Sequence, residues 1–178
     1  VKLSEDAQVP FSSNPFLANA FTNQLVTSLK YNYSFNNQGT KGKKNFTFLR
    51  VGTELSGNLI NSVSKTFSYP INEDGKRELF GIPYSHFVKF EIDPRYYLRT
   101  PLNNQMVFRA YAGWGQVLHN SNVLPLEKQF FAGGSNDIRA FTAYQLGPGN
   151  FFADSVNYNT GDIKLTLNIE YRFPISGS

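Results

Sequence analysis

The chain has 178 residues, enough for one domain, and its 16% aromatic against 17% charged residues, with 17 Phe and 10 Tyr but one Met and one Trp, do not suit a compact soluble core. Cysteine is absent, which excludes a disulfide framework and a thiolate metal site; no run of about 18 apolar residues exists, which excludes a transmembrane helix. The net charge of +4 comes from cations spread among acids, without the basic stripe that tracks phosphates, so no nucleic acid is expected as a partner.

A transmembrane β-strand remains open, because only every second residue of it need be apolar and its average hydropathy stays low, as the mean hydropathy of −0.35 does here. The amino terminus, Val1-Lys2-Leu3-Ser4-Glu5-Asp6, has no apolar h-region and is not a signal peptide; processing or truncation is expected to have removed whatever targeted the chain. A loop-like stretch over residues 1–20 follows.

Five stretches then share one alternation. A strand is predicted over residues 23–36, where Leu25, Thr27, Leu29, Tyr31, Tyr33 and Phe35 alternate with Ser28, Lys30, Asn32, Ser34 and Asn36. After a turn over 38–43, Leu49, Val51, Thr53, Leu55 and Leu59 alternate with Arg50, Glu54, Ser56 and Asn58. Beyond a loop over 64–83, His86, Val88, Phe90, Ile92, Pro94, Tyr96 and Leu98 alternate with Lys89, Glu91, Asp93, Arg95 and Arg99. A turn over 102–105 leads to Met106, Phe108, Ala110, Ala112 and Trp114, alternating with Arg109, Tyr111 and Gly113. The last strand, 162–173, is the clearest: Ile163, Leu165, Leu167, Ile169, Tyr171 and Phe173 on one face, Asp162, Lys164, Thr166, Asn168, Glu170 and Arg172 on the other.

The connections alternate as well. Short turns at 38–43 and 102–105 are interleaved with long loops at 64–83 and 118–161, the arrangement of outer-membrane barrels with short periplasmic turns and longer outer loops. The strands match or exceed the roughly 9–11 residues that cross a bilayer obliquely. Tyr84, Tyr96, Tyr97, Trp114, Tyr171 and Phe173 lie near strand ends, where aromatic girdles meet headgroups. Pro94 within a strand suggests a bulge or an edge. The other reading of the alternation is an antiparallel soluble barrel or sandwich with its apolar face inward, and alternation alone does not choose between the two.

The connection over 118–161 is far longer than the few residues that usually join two strands. Its centre, residues 130–149, carries glycine hinges, the aromatics Phe130, Phe131, Phe141 and Tyr144, and a central cation, Arg139, as a loop built to dock would. Gly133, Gly134, Gly147 and Gly149 permit positive φ; Gly-Gly-Ser lacks the spacing and the lysine of a phosphate cradle. For catalysis the chain offers little: His86 and His119 are distant and lie in no triad-like order, so no enzymatic activity, cofactor or metal is expected. Asp93, Glu91 and Glu54 share a face with Lys89, Arg95 and Arg50 as a salt-bridged wall rather than an acid–base pair.

At Phe131-Ala132-Gly133-Gly134 and Ile138-Arg139-Ala140-Phe141, followed by Gly147-Pro148, the chain resembles the outer-membrane assembly barrels, the family of BamA, TamA and their two-partner secretion relatives. Trp114-Gly115 before the loop and Leu167-Asn168-Ile169-Glu170-Tyr171 after it are similar to their family counterparts; Ala140 stands where the family usually has glycine. The resemblance implies an all-β fold, an antiparallel transmembrane β-barrel of which residues 1–178 are one part, the five strands being the eighth to twelfth of about sixteen. It implies that the loop over 118–161 folds into the lumen, where Arg139 meets the carboxylate of Glu170 with Phe141 packed beside it. A guanidinium is a planar donor fork suited to that clamp. The second acid that the resemblance implies, on the next strand, has no counterpart here.

Five strands cannot close a barrel, for which about eight are the minimum, so further strands are expected as partners. The resemblance implies the bacterial outer membrane as location, its lipids and unfolded β-barrel clients as partners, and accessory lipoproteins as a further class. The implied activity is insertion of other barrels without nucleotide or cofactor. A polypeptide transporter of the two-partner secretion type, or a passive porin, is the alternative.

Overall fold

A computed structural model of the chain describes residues 23–39, 45–66, 69–101, 104–135, 137–147, 149 and 159–175. The stretch over 1–20, most of the turn over 38–43, half of that over 102–105, and residues 136, 148 and 150–158 of the long loop lie outside the described residues. Its elements are β1 (Ser28–Asn36), β2 (Phe46–Ser56), α1 (Asn58–Thr66), β3 (Glu78–Leu79), β4 (Ile82–Pro83), β5 (Phe87–Arg99), β6 (Gln105–Val117), a 3-10 turn (Leu126–Lys128), β7 (Phe130–Phe131), β8 (Thr160–Gly161) and β9 (Ile163–Arg172). The chain divides into two units: one of Lys30–Glu54, Lys89–Trp114 and Ile163–Ser178, the other of Val1–Leu29, Leu55–Val88 and Gly115–Asp162.

The five predicted strands form one sheet in the order β1-β2-β5-β6-β9. In the first unit, β6 and β9 pair antiparallel over ten residues from Gln105↔Arg172 to Trp114↔Ile163. That register puts like faces together: Phe108 lies opposite Ile169 and Ala110 opposite Leu167, while Arg109 lies opposite Asn168 and Tyr111 opposite Thr166.

Burial in this sheet is inverted relative to a soluble one. Leu165, Leu167 and Ile169 are 73%, 74% and 70% exposed, and Tyr31, Phe90, Tyr96 and Trp114 are exposed with them. On the opposite face Asp93 is 1% and Glu54 4% exposed, with Tyr111 and Thr166 buried beside them. A sandwich would lay a second layer over the aliphatic face; among the described residues none covers it. The chain is therefore part of a transmembrane β-barrel with its apolar face outward, which is the choice that alternation leaves open. The sheet is open among the described residues, with β1 and β9 at its edges.

The second unit holds a small core of the ordinary kind, made by Tyr84, Phe87, Leu124 and Phe130. Gly57, at φ +73°, ends β2 and starts α1; a Cβ there would sit 2.3 Å from the Ser85 carbonyl oxygen. The expected strand through Leu59 thus stops at Ser56, and Leu59 is an exposed helical residue. The expected first strand starts at Ser28 rather than at residue 23, because Leu25 is taken up in a parallel bridge to Tyr84. The loop over 64–83 contains the end of α1 and the β3–β4 hairpin.

Two further expectations are corrected. Tyr84 belongs to no exposed girdle: it is 1% exposed, and its hydroxyl meets Ser64 Oγ at 3.2 Å and Asn61 Oδ1 at 3.1 Å. Pro94 lies on β5, the third of the five strands and not an edge, where the ladder goes without one N–H donor. Tyr96, Trp114, Tyr171 and Phe173 are exposed as a girdle requires, whereas Tyr97 stacks on Phe46 at 4.1 Å.

Candidate functional site

The loop motif closes on itself. Gly134 N donates to Phe141 O at 2.8 Å, Tyr144 N to Ala132 O at 3.1 Å, and Ala132 bridges Leu146, so the chain doubles back between the glycine pair and the residues after the tetrad. The two arms approach so closely at Gly133, φ +96°, that a Cβ would lie 2.1 Å from Thr142 O. The Asp137 carboxylate accepts from Gly133 N at 2.9 Å, and the Gln145 side chain accepts from Thr142 N at 3.0 Å. Neither Asp137 nor Gln145 is singled out by the sequence reading. An Asx-type turn signal, Gly-Gly-Ser-Asn-Asp, is there to be read.

Within that frame Ile138-Arg139-Ala140-Phe141 is a tight turn, Phe141 N donating to Ile138 O at 3.2 Å. Arg139 and Ala140 are its two central residues, and both are exposed. Among the described non-glycine residues only Phe80 and Tyr144 have positive φ, so alanine occupies the position usual for glycine without steric strain. Arg139 Nε donates to Ser135 O at 3.2 Å. Phe131 stacks on Tyr144 at 4.2 Å, and Phe130-Phe131 pair with Thr160-Gly161 to tie off the base of the loop. The Thr160 hydroxyl is close to Gln129 Oε1 in the same tie.

The flanks are ordered by the same unit. A Cβ on Gly115 would lie 2.6 Å from Leu124 Cδ1, and Gly115 N donates to Asp162 O at 2.8 Å. His86, weighed as a catalytic group and set aside, is a buried structural histidine whose Nε2 lies 3.0 Å from Asn58 Oδ1. Among the described residues no group of His, Cys, Asp and Glu could hold a metal ion.

In the sheet unit the polar face is a connected network. Asp93 receives Arg95 through Nη2 at 2.7 Å and Arg109 through Nε at 2.9 Å, so one buried carboxylate holds two guanidiniums. Arg95 lies over the Phe48 ring at 5.2 Å. The Tyr111 hydroxyl donates to Glu91 Oε1 at 2.8 Å, and Lys89 Nζ is 3.6 Å from the same oxygen. On β9, Glu170 lies opposite Val107 and accepts from Arg172 Nη2 at 2.6 Å. Its side chain is 41% exposed, against 1% for Asp93 and 23% for Glu91. Of the carboxylates borne by the five strands, Glu170 is thus the most open to approach; Asp162, on the same alternation, precedes β9 and is exposed as well.

Comparison with curated proteins gave no match, and comparison with solved structures gave none. The family model for the Omp85 superfamily domain matches residues 13–178, which takes in the sheet, the loop motif and Glu170. With an outward apolar face, an inward charged wall and that match over nearly its whole length, the chain belongs to the Omp85 superfamily, the outer-membrane family of protein insertion and secretion.

Proposed function

We propose that the chain is part of a BamA/TamA-like insertase, in which the loop over 118–161 folds into the lumen and Arg139 is clamped by Glu170. The observation that carries this reading is the pairing of opposites: a compact turn that presents Arg139 at its tip, and a charged wall on whose strands Glu170 is the most exposed carboxylate. The loop would brace the barrel while a distant seam opens to admit client strands. Nothing in this needs a nucleotide or cofactor. Unfolded β-barrel polypeptides are the substrate, outer-membrane lipid is the surroundings, and accessory lipoproteins are a further class of partner.

The test uses full-length protein in liposomes with a urea-denatured client barrel. Client insertion should be faster than in empty liposomes, fall about tenfold in Arg139→Glu, and recover in the swap Arg139→Glu with Glu170→Arg. Failure of the swap to recover would remove the pair. Client found free in the vesicle lumen instead of the bilayer would replace the insertase with a secretion transporter.

A further inference from the structure

Contacts within the sheet unit bring residues of all five strands together on one face. Asn32 Oδ1 of β1 and Glu91 Oε2 of β5 flank Gly52 of β2, 3.2 and 3.4 Å from where its Cβ would be. Asp93 joins β5 to β6, and Lys164 of β9 lies over the Tyr111 ring of β6 at 5.6 Å. This is one surface, and its charges do not balance.

Four carboxylates stand on its strands, Glu54, Glu91, Asp93 and Glu170, and a fifth, Asp162, just before β9, while the same alternation places eight cations there. Arg95 and Arg109 share Asp93, Lys89 faces Glu91, and Arg172 holds Glu170. Lys30, Arg50 and Arg99 are exposed and have no ion-pair partner among the described residues. The excess is not diffuse over the chain: the unit containing the sheet is cationic, while the other holds nine of the thirteen acids. Aromatic faces are interleaved with the cations, Phe46 stacked on Tyr97 and Phe48 beneath Arg95. A charged cleft with low-dielectric walls, as a barrel lumen provides, concentrates counter-ions more strongly than an exposed patch does.

We propose that this inner wall accepts acidic, extended polypeptide segments, with Lys30 and Arg50 as the accessible cations and the Phe46–Tyr97 stack as an apolar rest. The inference builds on the reading of the sheet's polar face as the lumenal wall of an insertion or secretion barrel. An extended chain suits it because side chains repeat at the same period of two as those of the wall. A phosphate group suits it less, since the uncompensated cations stand apart on β1, β2 and β5 instead of converging in one nest.

The chain contains no cysteine, so Asn32→Cys supplies its single thiol, to be used in full-length protein free of other cysteines. Labelling rates with an anionic and a cationic methanethiosulfonate reagent are compared with those of free cysteine. The anionic reagent is expected to be favoured about fivefold over the free-thiol ratio at low salt, less so at high salt, and not at all in Lys30→Gln with Arg50→Gln. A ten-residue peptide of Asp and Phe should slow the labelling, and one of Lys and Phe should not. A ratio at or below that of free cysteine overturns the proposal, while charge preference without protection by the acidic peptide overturns the polypeptide assignment. A thiol reached only by membrane-soluble reagents would instead show that this face is not lumenal, and the underlying reading would fall. If Asn32→Cys does not fold, Ser34→Cys on the same strand face takes its place.

Discussion

Arg109 on β6 and Asp93 on β5 are joined by two parallel hydrogen bonds, Nε to Oδ1 at 2.9 Å and Nη2 to Oδ2 at 3.2 Å. Arg95, two residues along β5 from the acid, takes the same two oxygens at 3.1 and 2.7 Å. One carboxylate, 1% exposed, therefore keeps two guanidiniums adjacent. Removing it in Asp93→Ala takes away the buried carboxylate that both guanidiniums share, a loss on the order of 3 kcal/mol. The expected result is a lower urea midpoint for the heat-modifiable folded band in detergent, largely restored when Arg109→Leu is added. An unchanged midpoint would mean that lumenal water alone solvates both arginines.

The five strands were legible because a wall between lipid and water must alternate with period two, and nothing else in the chain does so for ten residues at a time. Which face looks outward was not, since a sandwich alternates in the same way; the exposure of Leu165, Leu167 and Ile169 decides it. Tyr84 and Leu59 were misread for a related reason. An aromatic just before a strand looks the same whether it meets headgroups or a core, and only the hydroxyl contacts with Ser64 and Asn61 separate the cases. The loop motif could be located from Gly133-Gly134 and Arg139, but not its closure, which depends on Asp137 and Gln145 reaching backbone N–H groups.

That closure makes the two neighbouring glycines unequal. Both have positive φ, +96° at Gly133 and +99° at Gly134, yet an added Cβ meets Thr142 O at 2.1 Å in the first and only Ala143 Cβ at 3.8 Å in the second. Gly134→Ala bears backbone strain alone, about 1 kcal/mol or somewhat more. Gly133→Ala must also push the two arms of the loop apart. Limited trypsin digestion of the folded protein, read at Arg139, is expected to be markedly faster in Gly133→Ala than in Gly134→Ala. Equal rates would mean that the arms do not approach as described.

Ala140 gives the opposite case. Because its φ is not positive, replacing it by the glycine usual in the family relieves nothing and adds freedom to the unfolded loop. Ala140→Gly is expected to cost about 0.5–1 kcal/mol of local stability, seen as faster hydrogen exchange at Phe141 N, which donates to Ile138 O. Slower exchange in the glycine variant would show that the alanine strains the turn.

The outward apolar face can be tested by depth. Leu167 lies midway along β9, opposite Ala110, whereas Ile163 is at the strand's end opposite Trp114, one of the exposed aromatics of the girdle. Both side chains are more than 70% exposed, so in a water-soluble sheet an arginine at either place would change stability by less than about 0.5 kcal/mol. In a barrel wall the two differ, because a guanidinium at the bilayer midplane costs about 2–4 kcal/mol and one near the interface about 0–1. Urea unfolding in phospholipid vesicles is therefore expected to show a large loss for Leu167→Arg and a small one for Ile163→Arg. A further control is Thr166→Ser on the polar face, which should be near neutral because it keeps the hydroxyl and does not touch lipid. Equal, small losses at Leu167 and Ile163 would place the aliphatic face in water, and the membrane-spanning reading of the sheet would have to be abandoned.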